Sequence, residues 1–154
     1  MSLAKKTGWG IIVAGIAIQF IQPARNTSGQ VLPTEIASIA PIPVNVLALL
    51  KSACYDCHSN NTYYPWYANV QPIGWILNNH IQTGKKELNF SDFGSYSLRR
   101  QQSKLKSIAS QITDGAMPLI SYTLLHKNAQ LTKDDKALIL NWIQQSIDSV
   151  FTRN

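Results

Sequence analysis

Both cysteines of the chain stand in one pentapeptide, Cys54-Tyr55-Asp56-Cys57-His58, three residues apart and followed at once by a histidine. On a helical turn, positions i, i+3 and i+4 share a face, so the two thiols and the imidazole project together. This spacing is the attachment signature of a c-type haem. Cys54 and Cys57 would each form a thioether with one vinyl group, and His58 would ligate the iron from the same face. Three other uses compete. A thioredoxin-like redox pair wants a βαβ context, and none precedes the motif. A structural zinc site wants a second ligand pair farther along, and only His80 and His126 are available. A disulfide across two residues is strained and leaves His58 without a purpose. Covalent haem is the reading adopted.

The chain is 154 residues long and 45% hydrophobic, enough for one domain with a sizeable core. That composition excludes a disordered chain, and two cysteines exclude a disulfide-dense scaffold. The net charge is +6, but Lys5, Lys6 and Arg25 flank an apolar N-terminal segment. Of the fourteen basic residues, the eleven from Asn26 onward face all eight acidic ones. Such a mild and scattered excess argues for no nucleic-acid partner.

Lys5 and Lys6 precede an uncharged run from Gly8 to Ile21 in which Gln19 is the one strongly polar residue. A basic stretch before an apolar run fits an export signal. The run is shorter than the roughly 20 residues of a spanning helix. No small-x-small pair follows it, so an uncleaved signal anchor is expected over residues 1–22 rather than a cleaved signal peptide. A buried core helix is the plainer alternative. Export from a bacterial cytoplasm would put the rest on the periplasmic side of the inner membrane. Residues 23–42, with Pro23, Pro33 and Pro41, read as an extended linker. Residues 43–150 read as the haem-binding domain.

That domain reads as all-α. Helices are expected from Pro43 to Cys54, from Pro72 to about Gly84, from about Leu98 to Gly115, and from Thr132 to about residue 149. Ile73, Ile76, Leu77 and His80 fall on one face of the second. Leu105, Ile108 and Ile112 point inward in the third. Thr132 caps the last, whose first turn carries Asp134 and Asp135, where the helix dipole favours acids. Its inward stripe is Ile139, Trp142, Ile143 and Ile147. Loops are expected at 59–71, 85–96 and 116–131.

A second axial ligand is sought next. Gly115-Ala116-Met117-Pro118 lies just past a helix, and Met117 is the one methionine besides Met1. A thioether is a soft, neutral ligand, and Met/His coordination raises a haem potential. Met117 is therefore the expected distal ligand, although methionine also serves as core filler. His80 is its rival, read mainly as a core or haem-edge histidine. His126, beside Lys127 and Asn128, reads as a surface residue. An iron without a sixth protein ligand is the third possibility. Tyr63, Tyr64, Trp66 and Tyr67 are candidates to wall the porphyrin or pack the core. A carbonyl near Pro72 is the guess for the acceptor of the His58 Nδ1 proton. Lys85, Lys86, Arg99, Arg100, Lys104 and Lys106 read as solvated faces rather than a docking patch.

Together with Ser59-Asn60, Tyr64-Pro65-Trp66-Tyr67, His80-Ile81 with Gly84, Leu88-Asn89-Phe90-Ser91 and Gly115-Ala116-Met117-Pro118, the pentapeptide resembles the bacterial haem-binding domain family over about residues 20–145. Its members are small exported proteins with one c-type attachment site, often behind a single N-terminal anchor. The resemblance implies Cys54 and Cys57 as the haem-linking pair and His58 as the proximal ligand. The wider similarity to small helical cytochromes c implies that segments 43–54 and 133–149 pack as a helix pair and that Met117 is the distal ligand. The function expected is a membrane-anchored c-type cytochrome with one covalent haem c. It would be an electron carrier, not an enzyme, passing single electrons between redox partner proteins. The alternative is a haem enzyme or a gas or peroxide sensor with an open distal site. No clear distal Arg/His pair for peroxide chemistry is present, which ranks the alternative second.

Overall fold

The computed structural model describes residues 2–151, with side chains to residue 148. It is helical, with no strand among the described residues. In chain order the helices are α1 (Leu3–Ala17), α2 (Ile36–Ile39), α3 (Val44–Ala53), α4 (Tyr55–His58), α5 (Ile73–Glu87), α6 (Leu98–Thr113), α7 (Ile120–Thr123) and α8 (Lys133–Phe151), with short 3-10 turns between. The four expected domain helices are α3, α5, α6 and α8, each close to its expected bounds.

Local chemistry explains where they begin and end. Gly115 takes a left-handed φ of 71° after α6, a conformation glycine adopts without a Cβ penalty. Its N–H reaches the Ile112 carbonyl at 3.3 Å and the Ala116 N–H reaches Gln111 at 3.0 Å, closing the last turn. At the start of α8, Thr132 Oγ1 accepts from Asp135 N at 3.1 Å. Asp135 Oδ2 in turn accepts from Thr132 N at 2.9 Å. This reciprocal pair satisfies two N–H groups that a helix start leaves free. The Thr132 bonds hold the exposed Asp135 carboxyl below its usual range.

The core forms where α8 packs against α3 and α6. The expected stripe Ile139, Trp142, Ile143 and Ile147 is buried, as are Leu105 and Ile112 of α6, while Ile108 is half-buried. In α3 the inward residues are Val46, Leu50 and Ala53, and Val44 faces out.

The face of α5 carrying Ile73 and Ile76 is turned outward, and the buried residues are Gly74 and Ile81. The helix is seated by its glycines. A Cβ on Gly74 would stand 2.4 Å from the Ala68 carbonyl oxygen, and one on Gly84 would stand 2.7 Å from that of Cys57. Backbone therefore approaches α5 where side chains would have blocked it.

The segment 23–42 is folded onto the domain rather than extended away from it. Asn26 is buried and its Nδ2 donates to the Ser59 carbonyl and to Thr62 Oγ1, both at 2.8 Å. Thr27 bridges antiparallel to Asn61. Ile36 has no exposed surface and belongs to the main core. The prolines and polar residues here shape a strap satisfied by side-chain amides.

Helix α1 has no buried residue; Trp9, Ile11, Ile12, Val13 and Ile16 are all exposed. Fifteen residues rise roughly 22 Å, less than the roughly 30 Å of a hydrocarbon core. No helix among the described residues is long and apolar enough to cross a membrane. The expected anchor helix is thus not present as a spanning element. The segment just after α1 is clasped to the domain by amides. Gln71 N donates to Gln19 Oε1 at 2.9 Å, Gln19 Nε2 returns a bond to the Gln71 carbonyl at 3.2 Å, and Gln71 Nε2 donates to Gln22 Oε1 at 2.9 Å. Trp75 Nε1 donates to the Ile21 carbonyl at 2.8 Å.

Candidate functional site

The pentapeptide forms the end of α3 and the single turn α4. Cys57 N and His58 N both donate to the Cys54 carbonyl, at 3.2 and 3.0 Å, which fixes the helical spacing of the three side chains. A cleft of about 360 Å³, lined mainly by apolar atoms, opens beside this turn. Cys54 and His58 line it, with Phe90, Ile112, Leu131 and Met117 among the other walls. Cys57 is half-buried beside the cleft rather than in its wall. Both thiols are free. Burial, then the neighbouring Cys57, pushes the Cys54 thiol up to about 12. Burial, then Asp56, pushes Cys57 up to about 11. Both are neutral at physiological pH.

His58 is held by the loop after α5. Its Nδ1 lies 3.0 Å from the Leu88 carbonyl oxygen. A carbonyl only accepts, so Nδ1 carries the proton and Nε2 keeps its lone pair. Burial lowers the His58 pKa, against the opposing pull of the Leu88 and Gly84 carbonyls, which favours the neutral ring. A neutral imidazole with Nδ1 tied back and Nε2 unprotonated is the state in which histidine ligates a metal. The acceptor is Leu88, not a carbonyl near Pro72, which corrects the guess from sequence.

The same loop fastens the residues after the motif. Ser91 Oγ accepts from Asn60 N at 3.0 Å, and Asn89 Nδ2 donates to Asn60 Oδ1 at 2.9 Å. Phe90 has no exposed surface; it stacks on Tyr55 at 5.0 Å and meets the His58 ring edge at 6.3 Å. Among the described residues, Tyr55 Oη is the one buried side-chain polar atom without a hydrogen-bond partner. Burial, then the nearby Glu35 carboxylate, drives its ionisation well above the usual phenol range. In the sequence, 88–91 counted only toward the family resemblance, with no structural role given to its residues. Its signal was the two small polar residues Asn89 and Ser91 flanking a phenylalanine, all three buried.

Of the two candidate distal ligands, Met117 lines the cleft that His58 lines; His80 is half-buried on α5 and does not. His126, read as a surface residue, is instead half-buried in an aromatic group. It stacks on Tyr122 at 4.1 Å, and its Nε2 lies 3.3 Å from Tyr67 Oη. The aromatic segment divides: Tyr63 and Trp66 are exposed, Tyr64 Oη accepts from Asn26 N at 2.9 Å, and Tyr67 joins His126. The basic residues make no single patch. Lys85 Nζ donates to Asn26 Oδ1 at 2.6 Å, Arg100 lies over the Tyr96 ring, and Lys104 pairs with Glu87 at 3.8 Å on the cleft rim.

The donor set, an apolar cleft with a thiol and a prepared imidazole in its wall and a thioether beside them, fits a haem better than a bare metal ion. No group of three or more His, Cys, Asp or Glu side chains among the described residues is arranged to hold a metal on its own. Comparison with known families agrees. A family model described as a haem-binding domain matches residues 13–145. No curated protein and no solved structure matches the chain.

Proposed function

The chain belongs to the haem-binding domain family, and from that premise we propose that it is a c-type cytochrome carrying single electrons. When bound, a haem supplies a one-electron iron couple. The chain's own residues do the rest. Cys54 and Cys57 would hold the single haem through thioethers, and His58 would offer its unprotonated Nε2 to the iron. Met117 would offer a thioether sulfur as the second protein ligand. Ile112, Phe90 and Leu131 exclude water from the cleft, and Lys104 sets an ammonium at its rim, suited to a carboxylate of the cofactor. The observation that carries this reading is the His58 ring, tied through Nδ1 to Leu88 while it shares the cleft with Cys54 and Met117.

Carrier chemistry is preferred to peroxide or gas chemistry because the residues lining the cleft include no arginine and no histidine besides His58. An iron held by both His58 and Met117 would suit transfer between redox partner proteins. We place the domain at the periplasmic face of a bacterial inner membrane, held by the apolar N-terminal segment. The exposed apolar surface of α1, the lysines ahead of it and the amide clasp behind it support this placement.

The test is spectroscopic. Met117→Ala is expected to abolish the near-infrared methionine–iron band, lower the potential and let carbon monoxide bind the reduced protein rapidly. His80→Ala is expected to change none of these. Rapid, complete carbon monoxide binding to the unaltered protein at neutral pH, or a spectrum that responds to His80→Ala and not to Met117→Ala, refutes the assignment.

A further inference from the structure

The stretch that follows Met117 has almost nothing apolar holding it down. Helix α7 contains no buried residue, and Ile120, Leu124 and Leu125 are 73%, 62% and 64% exposed. None of the three lines the cleft. A short helix with no buried face contributes little to its own placement. Something else must therefore fix the segment.

Beyond α7 the turn Lys127–Ala129 packs on α3 with Ala129 buried, and two hydrogen-bonded fastenings hold the part nearer Met117. Before α7, the N–H groups of Ala116 and Met117 both donate to the Gln111 carbonyl on α6, at 3.0 and 3.1 Å. Within α7, Tyr122 Oη donates to Asp56 Oδ2 at 2.7 Å. Asp56 is itself rigidly placed. Its Oδ1 accepts from Tyr63 N at 2.9 Å, and its carbonyl accepts from Thr62 Oγ1 at 2.6 Å. Tyr122 is backed by His126, whose Nδ1 donates to the Tyr122 carbonyl at 3.0 Å. That leaves His126 Nε2 to accept from Tyr67 Oη. The segment carrying Met117 is thus pinned at one end to α6. At the other it is pinned to Asp56, one of the two residues between the cysteines.

We infer that the Tyr122–Asp56 hydrogen bond is a strut that couples the distal segment to the attachment turn, making both residues positioning residues for the Met117 ligand. The inference rests on Met117 being that ligand. A hydrogen bond to a carboxylate is among the stronger ones available to a side chain. Its loss raises the population in which the segment swings out and the iron is open. The ties that remain are the backbone pair at Gln111, the Tyr67–His126 bond and the buried Ala129 beyond α7, and none of them holds α7 itself against the attachment turn. Asp56 thereby gains a purpose that the pentapeptide alone does not suggest, since neither residue between the cysteines is needed for thioether formation.

The experiment uses the full, haem-loaded chain and cyanide as the probe, because cyanide enters only after the distal donor leaves. Tyr122→Phe keeps the ring against His126 and removes the strut. It is expected to speed cyanide binding by roughly tenfold or more and to weaken the methionine–iron band. Asp56→Asn keeps an acceptor without the charge. It is expected to fall between Tyr122→Phe and the unaltered protein, and it serves as the second variant if Tyr122→Phe matures poorly. Ile120→Ser, on the same helix but exposed, is expected to leave the rate unchanged. Cyanide binding at the unaltered rate in both strut variants overturns the proposal. An unchanged spectrum in Met117→Ala also overturns it, by removing the ligand that the strut is proposed to position. An open iron in Met117→Ala with no effect of either strut variant ends the strut alone.

Discussion

The attachment side of the cleft and the distal side are built by different means. On the attachment side, residues 54–62 are held by Asn26, Asn89 and Ser91 through hydrogen bonds. Fully buried Phe90 packs against Tyr55, and the Leu88 carbonyl orients His58. On the distal side, residues 116–126 expose three large aliphatic side chains and depend on a few polar contacts. The first region is preset; the second is an arm resting on it. For a group joined permanently at one face and ligated reversibly at the other, as proposed here for haem, that asymmetry would be functional. The permanent face needs geometry fixed in advance, whereas the reversible face needs only a stable resting position.

The comparison breaks most visibly at Phe90. Truncation to alanine removes a fully buried ring between Tyr55 and His58 and is expected to cost about 3–5 kcal/mol in chemical denaturation. A loss below about 1 kcal/mol would mean that the attachment side is not the preset region described here.

A smaller effect is expected in thiol reactivity. Thiolate is the nucleophile, and both thiols ionise above the ordinary value of 9.0, Cys57 at about 11 and Cys54 at about 12. Both stay protonated well past pH 8, so alkylation of the folded, haem-free chain is expected to climb about tenfold per pH unit from 8 to 10 without levelling. The unfolded chain should level near pH 9. At pH 8 the folded chain is expected to react on the order of a hundredfold more slowly at Cys57. Equal folded and unfolded rates would show that the motif is loosely held.

The smallest effect is expected on the distal arm. Ile120→Ser is predicted to change thermal stability by no more than about 0.5 kcal/mol, because the side chain is exposed and leaves no cavity. A loss several times larger would mean that α7 packs on the domain and is no arm.

Much of the scaffold is readable from the residues themselves. Apolar spacing marks the buried stripe of α8, Gly115 marks the end of α6, and Thr132 with its following acids marks the start of α8. The spacing of Cys54, Cys57 and His58 predicts one shared helical turn, and they form one. What stayed hidden was carried by backbone and amides. The Leu88 carbonyl that orients His58 has no side-chain signature, and neither has the Cys57 carbonyl that seats against Gly84. Periodicity grouped Ile73 and Ile76 with Leu77 and His80 on one face because it counts apolar side chains, yet Ile73 and Ile76 are exposed. The helix packs instead through glycines, where the absence of a side chain is what matters. The strap at 23–42 looked like a linker because proline and asparagine are common in linkers, yet Asn26 donates two bonds into the attachment loop and Ile36 completes the core.

The proposed function depends on a haem joined through both sulfurs. The most direct measurement is intact-mass spectrometry, under denaturing conditions, of full-length protein matured alongside a haem-attachment system. The account predicts a single species at the polypeptide mass plus one haem, reduced to the bare polypeptide when Cys54 and Cys57 are both replaced by alanine. A bare polypeptide mass from the unaltered protein, with the haem absorption lost on denaturation and removal of small molecules, would contradict it.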